Sequence, residues 1–367
     1  MNSLFQRVNV ITVVITLLLV GFIMIYSSTW YNSSFQILLQ HIKWLALGVV
    51  MFFIGRKLNV NLYKTIILPA IVILVILMIL QKFSSLGVVS NGVRRSVKLG
   101  PIVFQTAELA KVVIVIFFAV CLPNFTEVIR KTPFRALLFA LVSIPFVILT
   151  LIQPDFSSAA VLVLLTIAML FAAGLSIKGL AAISAVTLAG GVFAITRSKY
   201  QLSRLVNFFN KEVDITNEGY QAWQALISFA KGKFVGIGPG QGSQKFSYIF
   251  AGHNDYIYAM IGEELGFLGT FFVLICVVIL FMKIMETAKS QSDQYRFLLC
   301  FGLGSILFLN AIVNIAVNVN YLPVTGLPLP FVSYGGTNLC VSLWSIGVIS
   351  QLMKNQHFGT TNEVSFG

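Results

Sequence analysis

The sequence predicts an all-α integral membrane protein of about ten transmembrane helices. Hydrophobic residues make up 57% of the chain and charged residues only 10%, which is too little polar surface to cover a water-soluble fold. Apolar runs of roughly 17–25 residues, the length that crosses a bilayer, recur from end to end. We therefore expect a single polytopic membrane domain over residues 1–367.

Short polar or Gly- and Pro-containing breaks separate the predicted spans. The spans lie near residues 10–28, 42–58, 63–82, 103–122, 134–152, 157–174, 177–196, 256–282, 296–318 and 332–353. The first apolar run is longer than the core of a typical signal peptide and lacks a suitable cleavage site, so we interpret it as a retained anchor. The four cysteines lie in or beside apolar spans, without the spacing of a metal site.

The placement of lysine and arginine predicts the orientation. With ten spans both termini lie on one side, and the two sides carry equal numbers of Lys and Arg. More than half of those opposite the termini lie in the long loop 197–255, between the seventh and eighth spans. Loops of about 60 residues escape the positive-inside bias. Discounting this loop predicts cytoplasmic termini and an extracytoplasmic loop 197–255.

The basic charge of this loop has two interpretations. The loop can lie on anionic lipid head groups. It can instead bind a polyanionic ligand at the outer face, such as a lipid-linked phosphate or pyrophosphate.

Charged residues also occur within or beside the apolar spans. Glu108 and Lys111 lie three residues apart in the fourth span and share one helix face. They can form a structural ion pair between helices, or Lys111 can offer its charge to a phosphate while Glu108 positions it. Asp155 follows Pro154 at an outer membrane edge and is typical of a helix start.

The densest group of polar and glycine residues runs from Phe234 to Gly269. Four glycines surround a proline and allow backbone amides to approach a ligand closely, at Gly236, Gly238, Gly240 and Gly242. Their spacing matches neither the P-loop nor the dinucleotide fingerprint. Asp255 can cap the following apolar helix, or act as a general base toward a sugar hydroxyl. We expect Glu263 or Glu264 to support this site or a helix contact.

The segment from Tyr321 to Asn338 carries three prolines and a glycine pair. Such a segment cannot form a regular helix. At membrane depth it must line a cavity or be buried in protein.

Together these segments resemble the SEDS family of peptidoglycan polymerases, which includes RodA, FtsW and the sporulation homologue. The resemblance covers nearly the whole chain. Its motifs are Arg94-Arg95, Gln105 with Glu108 and Lys111, Gln153-Pro154-Asp155, His253 with Asp255, GEELG from Gly262, and GLPLPFVSYGG from Gly326. Five positions depart from the family pattern without removing a charge: Ser96 replaces Trp, Thr106-Ala107 replaces Pro-Ser, Ser157 replaces Gly, and Asn254 replaces Thr.

The resemblance implies an enzyme that polymerises lipid II at the outer face of the bacterial cytoplasmic membrane, for cell division or elongation. It would form a β-1,4 bond with inversion and release undecaprenyl pyrophosphate, with Asp255 as the catalytic carboxylate. The residues implied to bind substrate are Arg94, Arg95, Glu108, Lys111, Asp155, Lys245, His253 and Ser333. No metal-ligating residue is predicted, and the need for a divalent cation such as Mg or Mn stays open.

The implied partners are a class B penicillin-binding protein transpeptidase and other divisome or elongasome membrane proteins, and no nucleic acid. The run GIGPGQGSQKF followed by GHNDYIYAMIGEELG is more similar to the FtsW branch than to the RodA branch. Two other functions stay open. One is a lipid II flippase, since intramembrane charges and broken helices also mark transport pathways. The other is a non-catalytic cell-wall scaffold.

Overall fold

Helices dominate the computed structural model of the chain. It describes residues 9–30, 35–90, 93–100, 102–126, 139–197, 202, 206, 208, 218–243 and 255–361. The α-helices in these ranges are α1 Val10–Trp30, α2 Phe35–Lys57, α3 Leu62–Phe83, α4 Thr106–Cys121, α5 Ile144–Ile152, α6 Phe156–Ala172, α7 Ile177–Arg197, α8 Glu218–Gly232, α9 Ile257–Lys289, α10 Gln294–Asn318 and α11 Gly336–Thr361. Two short 3-10 helices are Leu122–Phe125 and Leu141–Ser143.

The membrane fold is confirmed within the described ranges. Seven helices are long and apolar enough to cross a membrane: α1, α2, α3, α4 with its following turn, α7, α9 and α10. Two shorter apolar helices, Leu141–Ile152 and Phe156–Ala172, overlap the fifth and sixth predicted spans. Each predicted span overlaps a helix, although residues 134–138 of the fifth lie outside the described residues. The number of ten spans stays a prediction.

The chain divides into two compact units. The first unit comprises Met1–Leu47, Phe193–Lys283 and Leu307–Leu339, and the second comprises Gly48–Val192, Ile284–Ile306 and Cys340–Gly367. The first unit contains helix α8, which lies within the predicted outer loop 197–255. Ala225 and Phe229 of α8 pack against Tyr256 and Ala259 at the start of α9. This contact anchors part of the loop beside Asp255.

A small antiparallel sheet in the second unit was not predicted from the sequence. Its strands are β1 Gly87–Ser90, β2 Val93–Leu99 and β3 Ile102–Gln105, in the order β1-β2-β3. Gly87 pairs with Val97, and Lys98 pairs with Val103. Because β3 runs directly into α4, the sheet holds the basic strand β2 at the start of the helix that carries Glu108 and Lys111.

A buried glutamine joins this sheet to two helices. Gln81 of α3 donates from Nε2 to the Arg94 carbonyl oxygen at 3.0 Å. Its Oε1 accepts from Thr106 Oγ1 at 2.6 Å. Gln81 and Thr106 are both fully buried, so water does not compete for these bonds and the start of α4 is held firmly.

Candidate functional site

Asp255 lies two residues before α9 and is held through its backbone by two asparagines of α10. Nδ2 of Asn314 and Nδ2 of Asn318 donate to the Asp255 carbonyl oxygen at 3.0 and 2.9 Å. Asn314 Nδ2 also donates to the Leu327 carbonyl oxygen at 2.7 Å. A methyl group placed on Gly326 would lie 3.5 Å from Asp255 Oδ2. The carboxylate therefore faces the proline-rich segment, and its own side chain is half-buried.

The proline-rich segment is non-helical between α10 and α11, as predicted. Its apolar side chains are buried at Leu327, Leu329, Phe331 and Val332. Ser333, an implied substrate ligand, is 3% exposed, and its Oγ accepts from the Leu329 amide at 2.9 Å. This bond folds the segment back on itself, so Ser333 has a local structural role.

Two adjacent buried glutamates of α9 hold the glycine loop, which we define as residues 234–243. Glu264 Oε2 accepts from the Gly240 amide at 2.8 Å. Glu263 Oε1 accepts from both the amide and the hydroxyl of Ser243 at 2.9 Å. The interpretation of this loop as a cradle for an external anion is therefore not supported at Gly240 and Ser243, whose amides bind the protein's own carboxylates.

Glu264 also joins the glycine loop to the first helix. Ser27 Oγ of α1 lies 2.7 and 2.8 Å from the two carboxylate oxygens of Glu264. Both side chains are buried. The glutamate pair thus holds the glycine loop, and Glu264 makes the expected helix contact.

The glycine loop also pairs with a break in α9. The amides of Ile237 and Gly238 donate to the carbonyl oxygens of Glu263 and Glu264 at 3.1 and 3.0 Å. Gly266 is non-helical, at φ 66° and ψ −163°. The interruption leaves the amides of Phe267 and Leu268 to donate to the Lys233 and Phe234 carbonyl oxygens at 3.0 and 3.2 Å. The broken turn is therefore satisfied at the start of the loop and by the residue before it.

Two glycines of this loop provide a matched test of its packing. Gly236 and Gly240 have φ of 90° and 83°, a region that costs about 1–2 kcal/mol for a residue with a Cβ. A methyl group on Gly236 would also collide with the Glu264 backbone and lie 2.7 Å from the Gly266 amide nitrogen, whereas one on Gly240 would meet nothing within 4 Å. We expect Gly236→Ala to lower the midpoint of thermal unfolding in detergent well below that of Gly240→Ala. Equal midpoints would show that the loop does not pack against α9 as described.

Glu108 and Lys111 form a buried ion pair in the second unit. Lys111 Nζ lies 2.7 Å from Glu108 Oε1, and the side chains are 0% and 1% exposed. The predicted i, i+3 pairing on one helix face is therefore present. A buried charge of this kind is expensive unless paired, so the geometry accounts for both residues as a structural pair.

Asp155 and the two arginines make defined structural contacts in the same unit. Asp155 caps α6, since Oδ1 accepts from the Ser158 amide at 3.1 Å and Oδ2 from the Ser158 hydroxyl at 2.8 Å. The predicted helix start is confirmed. Arg94 Nη1 donates to the Lys82 and Ser84 carbonyl oxygens at 3.4 and 3.2 Å, at the C-terminal end of α3 where a cation is favourable.

Arg95 differs from Arg94 in its remaining hydrogen-bonding capacity. Its Nη2 donates to the Pro154 carbonyl oxygen at 2.7 Å. Its buried Nε has no hydrogen-bond partner among the described residues. Arg95 is therefore the better candidate of the two for binding an anionic group.

The predicted site residues fall into separate groups. Asp255 and Ser333 belong to the first unit, and the other five described candidates belong to the second: Arg94, Arg95, Glu108, Lys111 and Asp155. Lys245 and His253 lie outside the described residues. Within the described ranges, no group of three or more His, Cys, Asp or Glu side chains could hold a metal ion.

Asn314 and Asn318 were missed by the sequence analysis. A signal for them existed, because two asparagines four residues apart in an apolar span lie on one helix face and polar groups at that depth need partners. Ser27 and Gln81 gave no such signal, since each is an uncharged polar residue at the end of an apolar run.

Known proteins match almost the whole chain. A family model described as a cell cycle protein, covering FtsW, RodA and SpoVE, matches residues 7–357. The probable peptidoglycan glycosyltransferase FtsW of Idiomarina loihiensis is 32% identical over 361 residues, which cover 93% of this chain and 85% of the relative. The corresponding protein of Trichlorobacter lovleyi is 30% identical over 342 residues, covering 92% and 90%. Stage V sporulation protein E of Bacillus subtilis is 29% identical over 360 residues, covering 95% and 98%.

Solved structures are similar in fold. A chain from a structure concerning the coordination of polymerization and crosslinking by a peptidoglycan synthase complex has a TM-score of 0.78 at 23% identity, covering 95% of this chain and 97% of that one. The crystal structure of the Thermus thermophilus rod shape determining protein RodA has a TM-score of 0.68 at 22% identity, covering 95% and 96%. At these identities the likeness supports the membrane fold itself.

Proposed function

This chain belongs to the FtsW, RodA and SpoVE family of cell cycle proteins, and we propose that it is a peptidoglycan glycosyltransferase that polymerises lipid II at the outer face of the cytoplasmic membrane. The resemblance stated from the sequence motifs is thereby confirmed at the level of the family. The observation that carries the proposal is the match, over more than nine tenths of the chain, to relatives named peptidoglycan glycosyltransferase FtsW. The names of these relatives also favour the FtsW branch.

We assign the chemistry to Asp255. Its carboxylate would accept the proton of the acceptor 4-hydroxyl as that oxygen attacks the anomeric carbon of the donor sugar. The bond from the anomeric carbon to the pyrophosphate oxygen breaks, and the undecaprenyl pyrophosphate leaves with the electron pair. Attack opposite the leaving group inverts the anomeric centre and forms the β-1,4 bond. The half-buried side chain of Asp255 lies just before a helix, and its carbonyl oxygen is held by Asn314 and Asn318, which supports this assignment.

Cationic groups would stabilise the departing pyrophosphate. Arg95 suits this role because its buried Nε has no partner among the described residues. Lys245 and His253 are further candidates from the outer loop. Lys111 can contribute only if its bond to Glu108 opens or is shared, since its side chain is 0% exposed.

The membrane orientation and the partner of the protein are also proposed. The protein is a multi-pass membrane protein, and we propose that both termini are cytoplasmic and that loop 197–255 is extracytoplasmic. We also propose a class B penicillin-binding protein as its partner, because a protein of similar fold occurs in a peptidoglycan synthase complex that couples polymerization to crosslinking.

The proposed activity is tested with purified wild-type protein and lipid II in detergent, with and without the transpeptidase partner and with added Mg or Mn. Glycan chains resolved on a gel are the expected product. Absence of glycan in every condition would contradict the proposal. In that case, transfer of lipid II across the bilayer of liposomes would identify a flippase. If no transfer occurs either, a non-catalytic cell-wall scaffold is the remaining function.

A further inference from the structure

We propose that Asn318 is a positioning residue for Asp255, acting with Asn314 as a two-residue clamp on the start of α9. This proposal rests on the proposed function, because it concerns the direction of the same carboxylate. It adds a role for two amide side chains that lie 59 and 63 residues away from Asp255 in the chain.

The start of α9 is held by a side chain from another helix. The first helical residue is Ile257. The amide of Ala259, the third helical residue, is one that a cap normally satisfies. Asn318 Oδ1 accepts from this amide at 3.0 Å. The same amide hydrogen also points toward the Tyr256 carbonyl oxygen, at 3.1 Å.

The single side-chain amide of Asn318 therefore bridges two points of the chain. Its oxygen binds the Ala259 amide, and its nitrogen donates to the Asp255 carbonyl oxygen at 2.9 Å. Because the amide group is planar, both bonds together fix the orientation of the peptide that joins Asp255 to Tyr256. A fixed peptide at this point limits the directions that the Cα–Cβ bond of Asp255, and with it the carboxylate, can take.

Asn314 fixes the same carbonyl from a second direction. It joins the Asp255 carbonyl oxygen to that of Leu327, so the proline-rich segment and the start of α9 share one donor. Asn318 Nδ2 also donates to the Asn314 carbonyl oxygen at 2.9 Å, which holds the Asn318 side chain against its own helix. Asn314, Asn318 and Ala259 are at most 1% exposed, so water cannot replace these bonds.

The expected consequence is kinetic. Leucine has a similar shape to asparagine but can neither accept from the Ala259 amide nor donate to the Asp255 carbonyl oxygen. We expect Asn318→Leu to lower the rate of glycan formation at saturating lipid II by about 10- to 100-fold, since a small misplacement of a catalytic group has effects of this size. The lipid II concentration that gives half the maximal rate should change by less than about threefold, because substrate contacts are untouched.

The test compares Asn318→Leu with Asn318→Ser and with a control on the same helix, Ser305→Ala. Serine is too short to bridge both groups and provides a second variant if the leucine variant does not fold. Ser305 is 5% exposed, and its hydroxyl donates to the Phe301 carbonyl oxygen of its own helix at 2.8 Å. Its removal should leave the maximal rate unchanged. A wild-type maximal rate in a folded Asn318 variant would overturn the proposal. A variant that changes only the lipid II concentration giving half the maximal rate, and not the maximal rate itself, would also overturn it.

A second measurement does not depend on activity. Hydrogen–deuterium exchange of the full-length protein should become faster in the peptide covering residues 255–261 when Asn318 is replaced, and should stay unchanged in Ser305→Ala. Unchanged exchange in the Asn318 variants would overturn the clamp. If the wild type makes no glycan, the proposed function fails, whereas the exchange result still decides whether Asn318 holds the start of α9.

Discussion

Replacing Asp255 by asparagine abolishes glycan polymerisation if this carboxylate is the general base. The amide has nearly the same size but cannot take the proton of the acceptor hydroxyl, and loss of such a base lowers the rate by about 10²- to 10⁴-fold. The bonds from Asn314 and Asn318 should persist in this variant, because they are made to the backbone carbonyl oxygen of residue 255. The measurement is glycan formation from lipid II by wild type and Asp255→Asn, with thermal unfolding as the check on folding.

Asp155→Asn is the matched control for this experiment. Asp155 also precedes an apolar helix, but both of its carboxylate oxygens accept from Ser158 in a capping arrangement. Asparagine caps helices about as well as aspartate, so the variant should keep most of the wild-type rate. Full activity of Asp255→Asn would reduce Asp255 to a structural residue. An equal loss in both variants would indicate that Asp155 contacts substrate, as the family resemblance implies.

Breaking the buried ion pair of α4 should have the largest effect on stability. Lys111→Met removes the cation beside Glu108, whose carboxylate is 1% exposed. Leaving one partner of a buried pair uncompensated costs about 3–5 kcal/mol. We expect a much lower unfolding temperature in detergent for Lys111→Met than for wild type. An unchanged unfolding temperature would show that the charge of Glu108 is compensated in another way.

The double variant Glu108→Gln with Lys111→Met separates the structural role from a substrate-binding role. Removing both charges leaves neither member of this pair uncompensated, and such replacements of a whole pair are often neutral for stability. If the pair is only structural, the double variant should recover both the unfolding temperature and the polymerisation rate. If Lys111 also binds the pyrophosphate, stability should recover while the rate stays low.

Features that depend on neighbouring residues could be predicted from the sequence. Apolar run lengths predicted the helices, because a helix must be about 20 residues long to cross the hydrocarbon core. Prolines predicted the non-helical segment before α11, and Pro154-Asp155 predicted the start of α6, because both effects act within one turn. The three-residue spacing of Glu108 and Lys111 predicted their shared helix face. None of these inferences requires knowing which segments contact each other in the folded protein.

The pairing of groups that are distant in the chain could not be predicted from the sequence. Ser27 binds Glu264 across 237 positions of the chain, and the amides of Gly240 and Ser243 donate to the carboxylates of Glu264 and Glu263. Periodicity places a polar residue on a helix face, but it does not predict which other segment packs against that face. The position of Asp255 depends on a contact between α9 and α10. The side-chain amides that orient it come from α10, and their bonds form only when the two helices pack.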